Sequence, residues 1–152
     1  HKTNREKRWE VHPGSVHFAT RLQCMDIERE LIEQLCYFDG FPEDVRRKLQ
    51  ELHLLPMRQT TVCPVTHAPL DYSDFVAEVR DPHHGKSDFQ VGHLNPLKAD
   101  PGDTAHGHTS ENIAWISADG NRIQGSYSLL QTRNLLRQIA ERFGARGWRD
   151  PD

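Results

Sequence analysis

Two short apolar runs with polar residues at their ends constrain this chain more than anything else in it. From Asp88 to Gly92 the residues alternate, Phe89 and Val91 on one side and Asp88 and Gln90 on the other, which is the period of a strand, and His93 stands at its end. Asn112 opens a second run that extends to Ser117, and nine positions after it comes Asn121, at the start of a helical stretch. Residues 98–110 have no apolar period and are rich in Gly, Pro, Asp and His, so they read as an exposed loop. The order is therefore strand, loop, strand, helix, with His93, Asn112 and Asn121 at the junctions. These three side chains are expected to converge.

The flanking sequence has a different period. Ile27, Leu31, Ile32, Leu35 and Phe38 recur at three and four, predicting a helix over 26–38 that Asp39-Gly40 ends. Pro42 suits a first helical turn, Glu43 and Asp44 lie near its positive end, and Val45, Leu49 and Leu52 form a second stripe closed by Pro56. The pair predicts a helical hairpin, packed on the rest of the chain or at a dimer contact. Beyond Thr60, the β-prone pieces Thr61 to Val65 and Tyr72 to Val79 predict a central β-hairpin, with turns at Pro64 to Pro69 and at Asp81 to Gly85. After Asn121, Ile123, Tyr127 and Leu130, then Leu135, Leu136, Ile139 and Phe143, give one bent helix or two, with Gly125-Ser126 as the break. The expectation is an α+β chain of 152 residues forming one compact domain, an N-terminal helical region over 1–59 and a core with its C-terminal helix over 60–152.

A mean hydropathy of −0.76 predicts a large wet surface, and no apolar run is long enough to span a bilayer. No signal-like stretch follows the first residues, and Cys24, Cys36 and Cys63 are odd in number and unpatterned. A soluble protein of a reducing, cytoplasmic compartment is expected, without a disulfide framework or a membrane partner. The first residue is His, so a tag remnant or a domain from a longer protein is expected, with a recognition element outside the chain. Cys63 and His67 are two zinc ligands where a structural site needs four, so a structural zinc is not expected.

The net charge of −3 is unevenly spread: between 121 and 149, Arg122, Arg133, Arg137, Arg142, Arg146 and Arg149 face Glu141 alone. A positive surface of this kind binds a phosphate backbone through counterion release. Arg122, Arg133 and Arg137 are the candidate contacts to double-stranded DNA. At the junctions, a neutral imidazole such as His93 accepts a proton from water when its other nitrogen is held by a fixed acceptor, the role expected of Asn112. Asn121 offers a carbonyl oxygen to a hard ion such as Mg²⁺, which prefers oxygen and keeps several waters. A base and an ion ligand are what phosphodiester hydrolysis needs.

Residues 87–127 resemble the ββα-metal fold of the HNH endonucleases. Gly-His-Leu-Asn-Pro-Leu is similar to that family's first box, a His followed three residues later by Pro; Asn112 matches the central Asn and Asn121 the last metal-binding position. The resemblance implies an H-N-N variant of restriction-endonuclease type, in which His93 activates the water, Asn112 holds the loop and orients His93, and Asn121 ligates one Mg²⁺ or Mn²⁺ ion. The products would carry 5′-phosphate and 3′-hydroxyl ends. Many family members place an Asp just before the base, where this chain has Gly92. The second ligand is thus left open among Asp88, Gln90, Asp103, His106 and His108. Because one site with one ion cuts one strand, a homodimer or an additional recognition domain is expected. The alternative is a catalytically inactive HNH-fold DNA-binding module.

Overall fold

The computed structural model describes residues 7–83, 85, 87–97 and 107–147. Among the described residues, five α-helices and two strands follow in the order α1 (Arg21–Leu35), α2 (Glu43–Glu51), α3 (Tyr72–Arg80), β1 (Phe89–His93), β2 (Ile113–Ser117), α4 (Ala118–Gln124) and α5 (Leu129–Arg146), with single 3-10 turns at Arg8–Glu10 and Ser110–Asn112. The chain is α+β. Helix α1 begins earlier than its apolar stripe because Thr20 and Gln23 form a reciprocal capping box, satisfying two backbone donors at the helix start. It ends at Leu35, which frees Phe38 to leave the helical path and enter the core.

The expected central β-hairpin is not formed. Tyr72–Arg80 is a helix whose N-cap, Asp71, accepts from the Asp74 amide at 2.9 Å. Its aromatic and β-branched content suggested a strand, but Tyr72, Phe75 and Val79 are spaced by three and four, and the cap decides for the helix. The piece from Thr61 to Val65 contributes one antiparallel bridge, Val62 to Pro69, closed by the Cys63 amide on the Ala68 carbonyl at 2.9 Å. Asp81 to Gly85 accordingly joins a helix to a strand.

Strands β1 and β2 pair antiparallel, with Phe89 opposite Ser117, Gln90 opposite Ile116 and His93 opposite Ile113. One face carries Phe89, Val91 and His93, the other Gln90 and Gly92. A two-stranded ribbon is marginal alone, and each face is covered by helix. Phe89 packs with Phe38 and Phe75 at ring separations of 5.9 and 5.4 Å, around a core of Phe38, Cys63, Val65, Leu70 and Ile116. The outer edge of β2 is met by α1 in place of a third strand: the Gln34 carboxamide accepts from the Trp115 amide (3.1 Å) and donates to the Ile113 carbonyl (3.2 Å), while the Trp115 indole donates to the Leu31 carbonyl (2.9 Å). An exposed strand edge is thereby closed by one side chain.

Helix α4 lies against the other face. Gly120 permits that approach, since a Cβ there would stand 2.6 Å from the Cys63 sulfur. At Gly125 the backbone takes φ 52°, a conformation that favours glycine, and this ends α4 and separates it from α5. Ser128 and Gln131 then form a second capping box that starts α5. Among the described residues no helix is long and apolar enough to cross a membrane.

Candidate functional site

Four hydrogen bonds converge where β1 ends. The Gln124 carboxamide, buried on α4, donates to the carbonyls of His93 and Leu94, both at 3.1 Å. The Leu94 carbonyl also accepts from the Leu129 amide at 2.7 Å, and the Leu94 amide donates to the Asn112 carbonyl at 3.0 Å. The backbone carrying His93 is thus held by α4, by the start of α5 and by the residue preceding β2. Gln124 was not among the candidates from sequence. Its position three residues after Asn121 on one helical face was the available signal.

Asn112 is fully buried, just before β2. Its Oδ1 accepts from the Asn95 amide, and its Nδ2 donates to the carbonyls of Asn95 and Gly107, all at 2.8 Å. The side chain therefore ties together the two ends of the long loop. These three bonds are all to loop backbone.

The His93 ring meets His108: Nε2 of His93 and Nδ1 of His108 are 2.9 Å apart, with the rings tilted by 59°. Burial, the Arg8 guanidinium and His93 itself all disfavour a charge on His108, which is pushed down to about 4. Arg8 reaches this place from the N-terminal segment, where it is buried and donates through Nη1 to the His17 carbonyl at 3.1 Å. No periodicity in the sequence pointed to Arg8 or His17.

A group whose folded pKa is depressed stabilises the fold above its unfolded value and loses that contribution as pH falls. For a histidine taken from roughly 6.5 unfolded to about 4 folded, the window is the interval between them. We expect unfolding free energy to fall by on the order of 1–3 kcal/mol across it, the lower figures allowing for partial solvent screening. Urea denaturation at neutral pH and near the lower limit checks this. A His108→Leu variant with the same pH slope would show that His108 is not its source.

Asn121 lies on α4 with His93 across a cavity of about 490 Å³, which His17, Gly92, Pro96 and Gln124 also line. Its Nδ2 donates to Gln90 Oε1 at 2.6 Å, and the Gln90 Nε2 donates to the Ser87 carbonyl at 3.3 Å, which fixes the sense of both amides. The Asn121 carbonyl oxygen is therefore the atom left to accept a donor or an ion.

Gly92 shares the Gln90 face, and a Cβ added there would stand 2.5 Å from Ile116 Cδ1. Core packing thus takes the space beside the position where a carboxylate was looked for. Of the other candidate ligands, Gln90 Oε1 is engaged by Asn121, and His108 Nδ1 by His93. Asp88 is exposed, with its amide on Glu78 and its carbonyl on Ala118. Asp103 and His106 lie outside the described residues. Among the described residues no group of three or more His, Cys, Asp or Glu is placed to hold a metal.

The arginines are spread along α4 and α5. Arg122 pairs with Asp119 at 3.0 Å, Arg133 donates to the Pro64 carbonyl at 3.1 Å, and Arg137 to Asn134 Oδ1 at 3.1 Å, all three exposed. Cys63 is a core residue, its sulfur 3.3 Å from the Ser117 hydroxyl.

No protein-family model matches this chain, and no curated protein matches it. Among solved structures it is similar to a crystal structure of a type II restriction endonuclease, with a TM-score of 0.58 at 19% sequence identity, over 86% of this chain. The match spans 55% of that protein's length. The chain thus has a fold like that of a type II restriction endonuclease.

Proposed function

We propose that this chain is a Mg²⁺- or Mn²⁺-dependent DNA endonuclease of restriction type, built on the ββα-metal core of the HNH class in its H-N-N form. The observation that carries the reading is that His93 and Asn121, apart in sequence and on different elements, line one cavity. Buried Asn112 secures the loop behind them.

The donor set suits an ion shared with substrate. One neutral carboxamide oxygen, left over by the Gln90 contact on Nδ2, does not cage a cation, but Mg²⁺ retains waters and takes phosphate oxygens as ligands. When bound there, the ion supplies positive charge to the phosphate and the leaving oxygen. His93 takes a proton from a water in the cavity, the water oxygen forms the new bond to phosphorus, and the P–O3′ bond breaks with its electron pair on O3′, which takes a proton from solvent to give the 3′-hydroxyl end. Gln124 and Asn112 keep the His93 backbone and its loop in place through that step. Arg122, Arg133 and Arg137 are the proposed contacts to the DNA backbone, with Arg122 exchanging Asp119 for phosphate. Cleavage of both strands would take a second copy or a recognition domain.

Supercoiled plasmid provides the test. Wild-type protein is expected to nick it with Mg²⁺ or Mn²⁺ and not with chelator, and Asn121→Ala to raise the Mn²⁺ concentration for half-maximal rate about 10-fold or more. Salt-sensitive DNA binding with no nicking under any divalent ion would instead establish an inactive DNA-binding module.

A further inference from the structure

We propose that Gln90 is a positioning residue for Asn121: its carboxamide oxygen accepts from Asn121 Nδ2 and so reserves Asn121 Oδ1 for a divalent ion. Gln90 acts on the ion through Asn121 and is not itself a ligand. The catalytic use of that ion rests on the nuclease reading, whereas the amide pairing does not depend on it.

The fold brings the two carboxamides together through the start of α4. The ribbon register sets Ser117 opposite Phe89, and the Ala118 amide donates to the Asp88 carbonyl at 3.0 Å, so α4 begins beside the first residues of β1. Ser117 caps that helix by accepting from the Gly120 amide at 3.1 Å. Asn121 follows directly and meets Gln90, Nδ2 to Oε1, at 2.6 Å. The sense of this bond is set from the far end. Gln90 Nε2 donates at 3.3 Å to the Ser87 carbonyl, an atom that can only accept, so Oε1 is the end presented to Asn121. Turning both carboxamides over would set an oxygen against that carbonyl. Ser87 is itself held: its hydroxyl donates to the Glu78 carboxylate of α3, which also accepts from the Asp88 amide at 2.9 Å.

Two further observations separate positioning from ligation. Asn121 lines the cavity of about 490 Å³, and Gln90 is not among the described residues that do. Asn121 Oδ1 makes no hydrogen bond among the described residues, whereas Gln90 Oε1 is already engaged. A terminal amide turns readily between two orientations that exchange its oxygen for its NH₂ group. Because NH₂ carries only donors, an unanchored Asn121 offers an ion the wrong atom part of the time. Holding Nδ2 on Gln90 removes that state before the ion arrives.

Two measurements on the full chain test the proposal. In metal-free side-chain amide ¹H–¹⁵N spectra, with the Asn121 pair assigned by its loss in Asn121→Ala, Overhauser contacts from that pair to the Gln90 γ-methylene are expected. In Gln90→Leu the pair is expected to move to the position of a free amide. Added Mn²⁺ is then expected to broaden the Gly120 backbone amide ahead of other exposed amides, and Gln90→Leu to raise the Mn²⁺ concentration for half-broadening about 3- to 10-fold. Placed on top of Asn121→Ala, the same substitution is expected to change it by less than about twofold, because nothing is left to position. An Asn121 pair that lacks those contacts or is unchanged in Gln90→Leu would overturn the proposal, as would the absence of selective broadening. An equal Mn²⁺ shift in both backgrounds would also overturn it, making Gln90 an independent ligand. A wild type that passes both measurements but cuts no DNA refutes the nuclease reading alone. Should Gln90→Leu fail to fold, Gln90→Met, closer in length and equally without the acceptor oxygen, takes its place.

Discussion

His93→Ala is expected to lower DNA cleavage by about 10²- to 10⁴-fold, the usual contribution of a positioned general base, while leaving DNA affinity within about twofold of the wild type. The proposed DNA contacts, Arg122, Arg133 and Arg137, stand on α4 and α5 and do not touch the imidazole. Removing the ring deletes its hydrogen bond to His108 but spares the backbone contacts of the His93 and Leu94 carbonyls with Gln124. The cost in stability should stay near 1 kcal/mol, typical of a single hydrogen bond. Fluorescence anisotropy with labelled duplex at two salt concentrations, beside the plasmid assay, separates binding from chemistry. Cleavage by the variant within a factor of ten of the wild type would remove His93 from the role of base.

The second large effect belongs to stability. Asn112→Ala withdraws one acceptor and two donors at a fully buried position, stranding the Asn95 amide, the Asn95 carbonyl and the Gly107 carbonyl. A buried polar group left without its partner costs about 1–3 kcal/mol, so a total loss of about 3–5 kcal/mol is expected after local relaxation. For a chain of this size that lowers Tm by on the order of 10 °C or more. Asn112→Asp keeps the acceptor but sets a carboxylate against two carbonyls, and it is expected to be no more stable than the alanine variant. Thermal unfolding followed by circular dichroism checks both. A melting temperature for Asn112→Ala within about 2 °C of wild type would mean that the clamp contributes little.

These expectations draw unequally on the sequence. The strand alternation up to Gly92, the turn chemistry of Gly125-Ser126 and the apolar stripes of α1 and α2 were legible because each is a local pattern with its own period. The region around Tyr72–Arg80 was misread because aromatic and β-branched content favours strands on average, whereas the Asp71 cap acts at one place. His17 and Arg8 gave no signal. They reach the site through the path of the N-terminal segment, secured by the Arg8 bond to the His17 carbonyl, and no periodicity records such a path.

The positions of His93 at the end of β1 and of Asn112 just before β2 were determined by the sequence alone, since hydrophobic period and turn residues act over a few neighbours. Asn121, expected at a helix start, stands in the middle of α4 because Ser117 caps that helix earlier. What each of them touches was decided only in three dimensions. Asn112 bonds to backbone on both flanks of a long loop, His93 to an imidazole from that loop, and Asn121 to a carboxamide of the facing strand. Side-chain partnerships of this kind join residues distant in the chain, and they follow from how sheet, helix and loop pack. Packing also explains Gly92: Ile116 fills the space beside it, a fact about two strands in register that neither strand carries by itself.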